Sequence, residues 1–198
     1  MGLRERKKQR TARTIEDSAL RLFAEQGYHA TTIAQIADDA EISPRTFFAY
    51  FPSKESVLFN DFEPAFQSLA EHLDARGGES LLDSLRAWII EIVEHDGLPD
   101  EREHVRRQVI AASEELIAYE RRLTTRFETL IAAAAAADLD ADPQDLRPRI
   151  IAAAVAATLA ALRPDPNNPE TDTDPLEQLD DALAFLRGGI AVLRRRHK

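Results

Sequence analysis

In the run Ser43-Pro44-Arg45-Thr46-Phe47-Phe48-Ala49-Tyr50 the chain places a guanidinium among small polar groups, two phenyl rings and a phenol. The chemistry open to such a set is recognition rather than bond making. The planar fork of Arg45 matches the two acceptors on a guanine edge, a contact worth roughly 1 to 3 kcal/mol of discrimination, and serves a phosphate oxygen or bulk water equally well. Basic groups also gather at the N-terminus. Residues 1–13 hold Arg4, Arg6, Lys7, Lys8, Arg10 and Arg13 against Glu5 alone, a side-chain charge of +5 in a chain whose formal net charge is −10. One end therefore attracts a polyanion, and the rest, summing to −15, repels it.

Catalytic patterns are missing. His29, His72, His95, His104 and His197 show no metal-ligand spacing, and there is no glycine-rich phosphate loop and no Gly-x-Ser-x-Gly elbow. The chain has no cysteine, which excludes disulfides, thiolate zinc sites and thiol nucleophiles. Neither an enzyme nor a cofactor nor a metal is expected. No apolar run approaches the ~20 residues that span a bilayer and no secretory apolar segment follows the basic N-terminus, so a cytoplasmic protein without a membrane partner is expected.

The elements that must present Arg45 are legible in the punctuation. Thr32 caps a short helix with Gln35 three residues on and an apolar stripe at Ile33, Ile36, Ala37 and Ala40. Ser43 caps a second helix, Pro44 opens it, and Pro52 forbids its continuation. Two helices joined this tightly cross steeply, the helix-turn-helix arrangement, whose second helix leads into the major groove with its first residues, here Pro44, Arg45 and Thr46. An earlier helix with Ile15, Ala19, Leu22 and Phe23 on one face, stopped by Gly27, completes a small domain; its core is expected from Ile15, Leu22, Phe23, Ile33, Ile36, Ile42, Phe47 and Phe51.

Leu22-Phe23-Ala24-Glu25-Gln26-Gly27-Tyr28, Thr31-Thr32-Ile33, Ser43-Pro44-Arg45-Thr46-Phe47-Phe48, Tyr50-Phe51-Pro52 and Ser53-Lys54-Glu55 together resemble the TetR (tetracycline repressor-like) family of bacterial transcription regulators. The resemblance implies phosphate contacts at the starts of the second and fourth helices, which map to Thr32 and Lys54, and at Tyr50. Many members carry Tyr where this chain has Phe48, so a hydroxyl contact is absent there. Phe48 is left for packing or for an apolar contact to a thymine methyl.

The rest of the chain is acidic and helical. A connector is expected from Lys54 to about Ala75, kinked or broken at Pro64 and stopped by Gly77-Gly78. One helix follows with Leu81, Leu85, Trp88, Ile89, Ile92 and Val93, and the span 100–137 is expected to break near Ser113-Glu114. Past a polar loop at 164–173, Asp174 and Pro175 open a last helix with a seam at Leu176, Leu179, Leu183, Leu186, Ile190 and Leu193; the helix before it carries Ile150, Ile151, Ala154, Val155, Thr158, Leu159 and Leu162. Such a seam fits a shallow helix–helix packing, either within one chain or between two. The resemblance implies the second, a homodimer through a four-helix bundle, with Ile151, Val155, Thr158, Leu159, Leu162, Leu179, Leu183, Leu186 and Ile190 as its interface. Gly188-Gly189 in the last helix cost roughly 1 kcal/mol each relative to Ala and suit a close backbone approach or a fraying helix end.

The expected fold is thus all-α with about nine helices, a DNA-binding domain at 1–53 and an effector-binding and dimerisation domain at 54–198. The resemblance implies a small-molecule pocket in the second domain, for which Phe62, Phe66, Trp88, Ile92, Tyr119, Leu123 and Phe127 are candidate lining, though each also fits ordinary core. The stretches HVRRQVIAASEELIAYERRLTTRFETLIAAAAAAD and DLRPRIIAAAVAATLAALR are similar to the mycofactocin-type (MftR-like) subgroup. That points to an acyl thioester or another hydrophobic effector, with Arg106, Arg107, Arg121 and Arg122 as anion partners or as arginines paired with Glu103, Glu114 and Glu120. The expected function is a ligand-responsive repressor binding a near-palindromic DNA operator as a homodimer; the alternative is an activator or architectural DNA-binding protein with no effector.

Overall fold

The computed structural model describes residues 2–97, 100–162 and 174–195. Among them are nine α-helices and no strand: α1 (Leu3–Gln26), α2 (Ile33–Asp39), α3 (Pro44–Tyr50), α4 (Phe62–Ala75), α5 (Leu81–Asp96), α6 (Glu101–Ala111), α7 (Glu114–Leu139), α8 (Leu146–Ala161) and α9 (Pro175–Arg195), with a 3-10 turn at Glu55–Val57. The polar loop expected at 164–173 lies outside the described residues. Two compact units result, Met1–Phe62 with Asp100–Glu120, and Glu63–Pro99 with Arg121–Lys198.

The first unit buries Ile15, Ala19, Phe23, Tyr28, Ile36, Phe47 and Phe51, while Leu22, Ile33 and Ile42 pack half-buried against them. Phe47 and Phe51 lose nearly all their exposure, at about 1.5 to 3 kcal/mol of burial each as an upper bound. Val109 and Ile110 of α6 and Leu116 of α7 join this same core. The unit boundaries therefore fall elsewhere than the expected division at residue 53, because the apolar face of α6 is turned to α1. Arg102 reinforces that contact, its Nη2 2.8 Å from Glu16 Oε2, while Arg106 ties α6 to the end of the 3-10 turn by donating to the Leu58 carbonyl at 2.9 Å.

Two expected elements take a different form. The basic N-terminal arm is not separate from the first helix, since α1 is continuous from Leu3 over 24 residues and carries the basic groups on its first turns. The connector helix does not start at Lys54 but at Phe62, after the 3-10 turn. Pro64 then stands in the first turn of α4, where a missing amide breaks no intrahelical bond, so neither kink nor break arises there.

The second unit is built on Leu69, Leu73, Leu81, Leu85, Trp88, Ile131, Ala135, Ile151, Val155, Leu179, Leu183 and Leu186. This bears on the last two helices, whose seam fits packing within one chain or between two. Ile151, Val155, Leu179, Leu183 and Leu186 are 0 to 5 % exposed within the single chain, and Leu159, Leu162 and Ile190 are packed half-buried on the same core, with Thr158 also half-buried. Leu179, Leu183 and Leu186 of the seam thus pack within the chain itself, since a strict 3-4 stripe packs as well on helices of the same chain as on a second copy. What α8 and α9 leave outside is another face, with Leu146 (67 %), Ile150 (45 %), Phe185 (78 %) and Val192 (47 %) exposed.

Candidate nucleic-acid interface

Local hydrogen bonds define the two helices of the recognition unit. The Thr32 hydroxyl accepts from the Gln35 amide at 3.2 Å while the Gln35 side chain accepts from the Thr32 amide at 2.8 Å, the reciprocal box its sequence implied. Ser43 Oγ accepts from the Thr46 amide at 3.0 Å and also pairs with the Thr46 hydroxyl at 2.8 Å. Between the helices, Glu41 takes φ of 54° and Ile42 donates to the Ala37 carbonyl at 2.8 Å. A non-glycine residue in that left-handed region stores about 1 to 2 kcal/mol of strain, which the flanking packing sustains.

On α3 the sorting of side chains is decisive. Phe47 is fully buried, Thr46 and Tyr50 are half-buried, and Pro44, Arg45, Phe48 and Ala49 are exposed. Arg45, Phe48 and Ala49, spaced three and four apart, therefore form one outward face. Phe48, 55 % exposed and edge-on to Phe47 at 5.6 Å, does not serve the core, which removes packing from the two roles open to it. The Thr46 hydroxyl is already engaged by the cap. Arg4, Lys7, Lys8 and Arg10 are exposed along the first turns of α1, and Thr32 is exposed at the entrance to α2.

Lys54 is placed otherwise than at a helix start facing solvent. Its ammonium donates to the carbonyls of Tyr28 at 2.8 Å and Thr31 at 2.9 Å, and stands 4.0 Å from the centre of the Tyr28 ring. Burial lowers its pKa from the ordinary lysine value, partly offset by Glu115 and Glu55. Burial also pushes Glu55 upward, but its own backbone amide, Ser53, the Tyr28 phenol and the Lys54 charge together hold its carboxyl below the usual range. Nothing in the sequence patterns pointed to this cluster; the signal, a buried Tyr right after a C-cap glycine and a Lys-Glu pair after the recognition helix, became readable only with both segments side by side.

The candidate effector residues do not form one set. Tyr119 stacks on Phe59 at 5.0 Å in the first compact unit, to which Phe62 also belongs. In the second, Phe66 and Trp88 pack on Phe127 at 5.5 and 6.3 Å, and the Trp88 indole donates to Ser68 at 3.2 Å. Ile92 and Leu123 are half-buried in that unit. A cavity of about 430 Å3 in the same unit is lined by Leu81, Leu82, Ala135, Leu139, Ile151 and Ile190 with Ser80, Asp138 and Arg187 as polar members, and none of the seven candidates borders it. Arg106 and Arg107 are engaged by Glu103 and Glu120, each at 2.5 Å.

Most of the chain has counterparts in known proteins. Residues 15–60 match the model for bacterial regulatory proteins of the tetR family, and residues 79–191 match that for the MftR C-terminal domain. The HTH-type transcriptional regulator TcmR of Streptomyces glaucescens is 34 % identical over 163 residues, 77 % of this chain and 71 % of that protein. The chain belongs to the TetR family of bacterial transcription regulators. A second relative, a regulator named for mycofactocin biosynthesis, MftR of Mycobacterium tuberculosis, is 30 % identical over 150 residues, 74 % of this chain and 75 % of that one. The FadR regulator from Bacillus subtilis, solved in complex with stearoyl-CoA, shares the fold at 17 % identity with a TM-score of 0.56, covering 89 % of this chain and 97 % of that one. As a TetR-family regulator this protein binds DNA through its helix-turn-helix and is not an enzyme, and no helix among the described residues is long and apolar enough to cross a membrane.

Proposed function

We propose that the protein is a repressor that binds a near-palindromic operator as a homodimer and is released by a small hydrophobic effector. The observation that carries the dimer is where the exposed apolar surface lies. Among the described residues the exposed large apolar side chains are Phe48 on the recognition helix and five on α8 and α9: Leu146, Ile150, Leu176, Phe185 and Val192. On α8, Leu146 and Ile150 continue into exposed Ala153 and Ala157; on α9, Phe185 and Val192 flank exposed Gly188 and Gly189. A Cβ at either glycine would meet nothing within 4 Å in the chain itself, so their cost of roughly 1 kcal/mol each is not demanded by internal packing. A second copy of the same two helices would use both the apolar face and the room above the glycines, and the interface passes from the buried seam to these residues.

At the DNA end, Arg45 reads a guanine edge and Phe48 contacts a thymine methyl, while Thr32, Tyr50 and the basic turns of α1 hold phosphates; Pro44 and Thr46 shape the tip of the helix. The effector reading draws on the match to the MftR C-terminal domain, on the fold shared with a stearoyl-CoA complex and on the apolar cavity of the second unit. An acyl thioester or a molecule of similar apolar length is the class proposed, in a cytoplasmic setting. Fluorescence anisotropy on the operator tests both ends. Arg45→Ala should cut the preference for operator over a duplex altered at one base pair by about 10- to 100-fold, and unchanged preference would take base reading away from Arg45. A panel of acyl thioesters should contain one that weakens operator binding; operator affinity unmoved by all of them would favour the activator or architectural reading.

A further inference from the structure

We infer that Lys54 forms a clasp that brackets the helix-turn-helix, and that it is a positioning residue for DNA recognition rather than a phosphate ligand. The clasp joins two places far apart in the chain. The Tyr28–Thr31 segment lies just before the Thr32 cap of α2, and Lys54-Glu55 follow the end of α3, so the bonds from Lys54 to Tyr28 and Thr31 span 26 and 23 residues. Both ends of the recognition unit are thereby tied to each other.

Each part of the joint is occupied. An ammonium has three N–H donors; two meet carbonyls at 2.8 and 2.9 Å, and the ring face of Tyr28 at 4.0 Å takes the remaining side of the charge. Two of its three donors are thus committed to the chain's own carbonyls. Tyr28 is itself held in place, because its ring packs on Phe23 at 5.3 Å with 6 % of the residue exposed. Thr31, 1 % exposed, donates its hydroxyl to the Gly27 carbonyl at 2.9 Å, and Gly27, at φ of 86°, donates to the Phe23 carbonyl at 3.0 Å. The chain from the end of α1 to the cap of α2 is thus fixed to the α1 core on one side and to Lys54 on the other. Without the ammonium, the Lys54 bonds to the Tyr28 and Thr31 carbonyls are lost and the entrance to α2 is free to shift, carrying α3 with it through their shared packing.

The clasp rests on the DNA-binding reading, and wild-type binding to the operator in the same assay is the control that separates the two. Full-length wild type, Lys54→Met and Lys54→Arg are titrated on operator and on an unrelated duplex across a salt series, with thermal melts run alongside. For Lys54→Met the clasp predicts operator affinity lower by on the order of tenfold or more, an unchanged salt slope and little change on the unrelated duplex. Lys54→Arg, which can still reach both carbonyls, should recover part of that loss. A salt slope shallower by about 0.9 with equal loss on both duplexes would make Lys54 a phosphate ligand and overturn the inference. Unchanged operator affinity in a folded Lys54→Met variant would overturn it too. Should Lys54→Met fail to fold, Lys54→Arg still decides: it keeps the charge but remakes the two carbonyl bonds with a different head group, and the clasp predicts operator affinity lower by about threefold to tenfold at constant slope, whereas a phosphate role for Lys54 predicts none.

Discussion

Aspartate placed at Phe185 and Val192 together should leave a folded chain that sediments as a monomer and binds the operator at least about a hundredfold more weakly. The single chain loses little, because both side chains lie largely in solvent, at 78 % and 47 % exposure, and substitutions at such positions usually stay within about 0.5 kcal/mol. A dimer built on this face would bury four unpaired carboxylates near its two-fold axis, which costs several kcal/mol. The loss at the DNA follows from linkage. Two joined reading heads share an effective concentration in the millimolar range, and separating them removes an advantage of about a hundredfold to ten-thousandfold. Sedimentation velocity and anisotropy check both parts, and a dimer that persists would place the interface elsewhere. Gly189→Leu offers a gentler version, since the chain itself has open space there.

Leu183→Asp should have the opposite character although it lies only two residues from Phe185. Those two positions are about 200° apart around a helix, so one faces the core and the other solvent. Leu183 is 2 % exposed among Leu179, Leu186, Val155 and the helices beneath them, and a carboxylate there has no partner in the apolar cluster. The expected penalty exceeds about 4 kcal/mol, from the lost burial of leucine and the uncompensated charge. A thermal melt by circular dichroism should show the C-terminal helices losing their cooperative transition or unfolding far below wild type. A Leu183→Asp variant that stays folded with an undiminished melting temperature and sediments as a monomer would restore the leucine seam to the subunit interface.

That contrast also shows where sequence patterns run out. The caps at Thr32 and Ser43, Pro44 at the first turn of α3 and the break before Glu114 were readable because each rests on a local bond or on a backbone restriction carried by a single residue type. The outward set of α3 followed from its periodicity once Phe47 was taken as core. A 3-4 seam, by contrast, states only that a helix face is buried, not by which chain, and the true outer face of α9 consists of Phe185, two glycines and Val192, a weak pattern beside a row of leucines. The contacts of Lys54 stayed hidden for a related reason: its partners are main-chain carbonyls 23 and 26 residues away, and no spacing rule reaches across the helix-turn-helix. Aromatic spacing likewise could not tell a cavity wall from packed core, and Phe66 and Trp88 both pack on Phe127.

The proposed regulator is a two-fold reading head, two copies of α3 presented to successive major grooves. Selection of bound duplexes from a random pool by the full-length protein, followed by sequencing, addresses it directly. The account predicts an inverted repeat whose half-sites lie about one helical turn, or about 34 to 36 Å, apart or a multiple of it, with a preferred G·C pair and a neighbouring T in each half for Arg45 and Phe48. Enrichment of a single half-site with no inverted partner, or of no sequence at all, would contradict it.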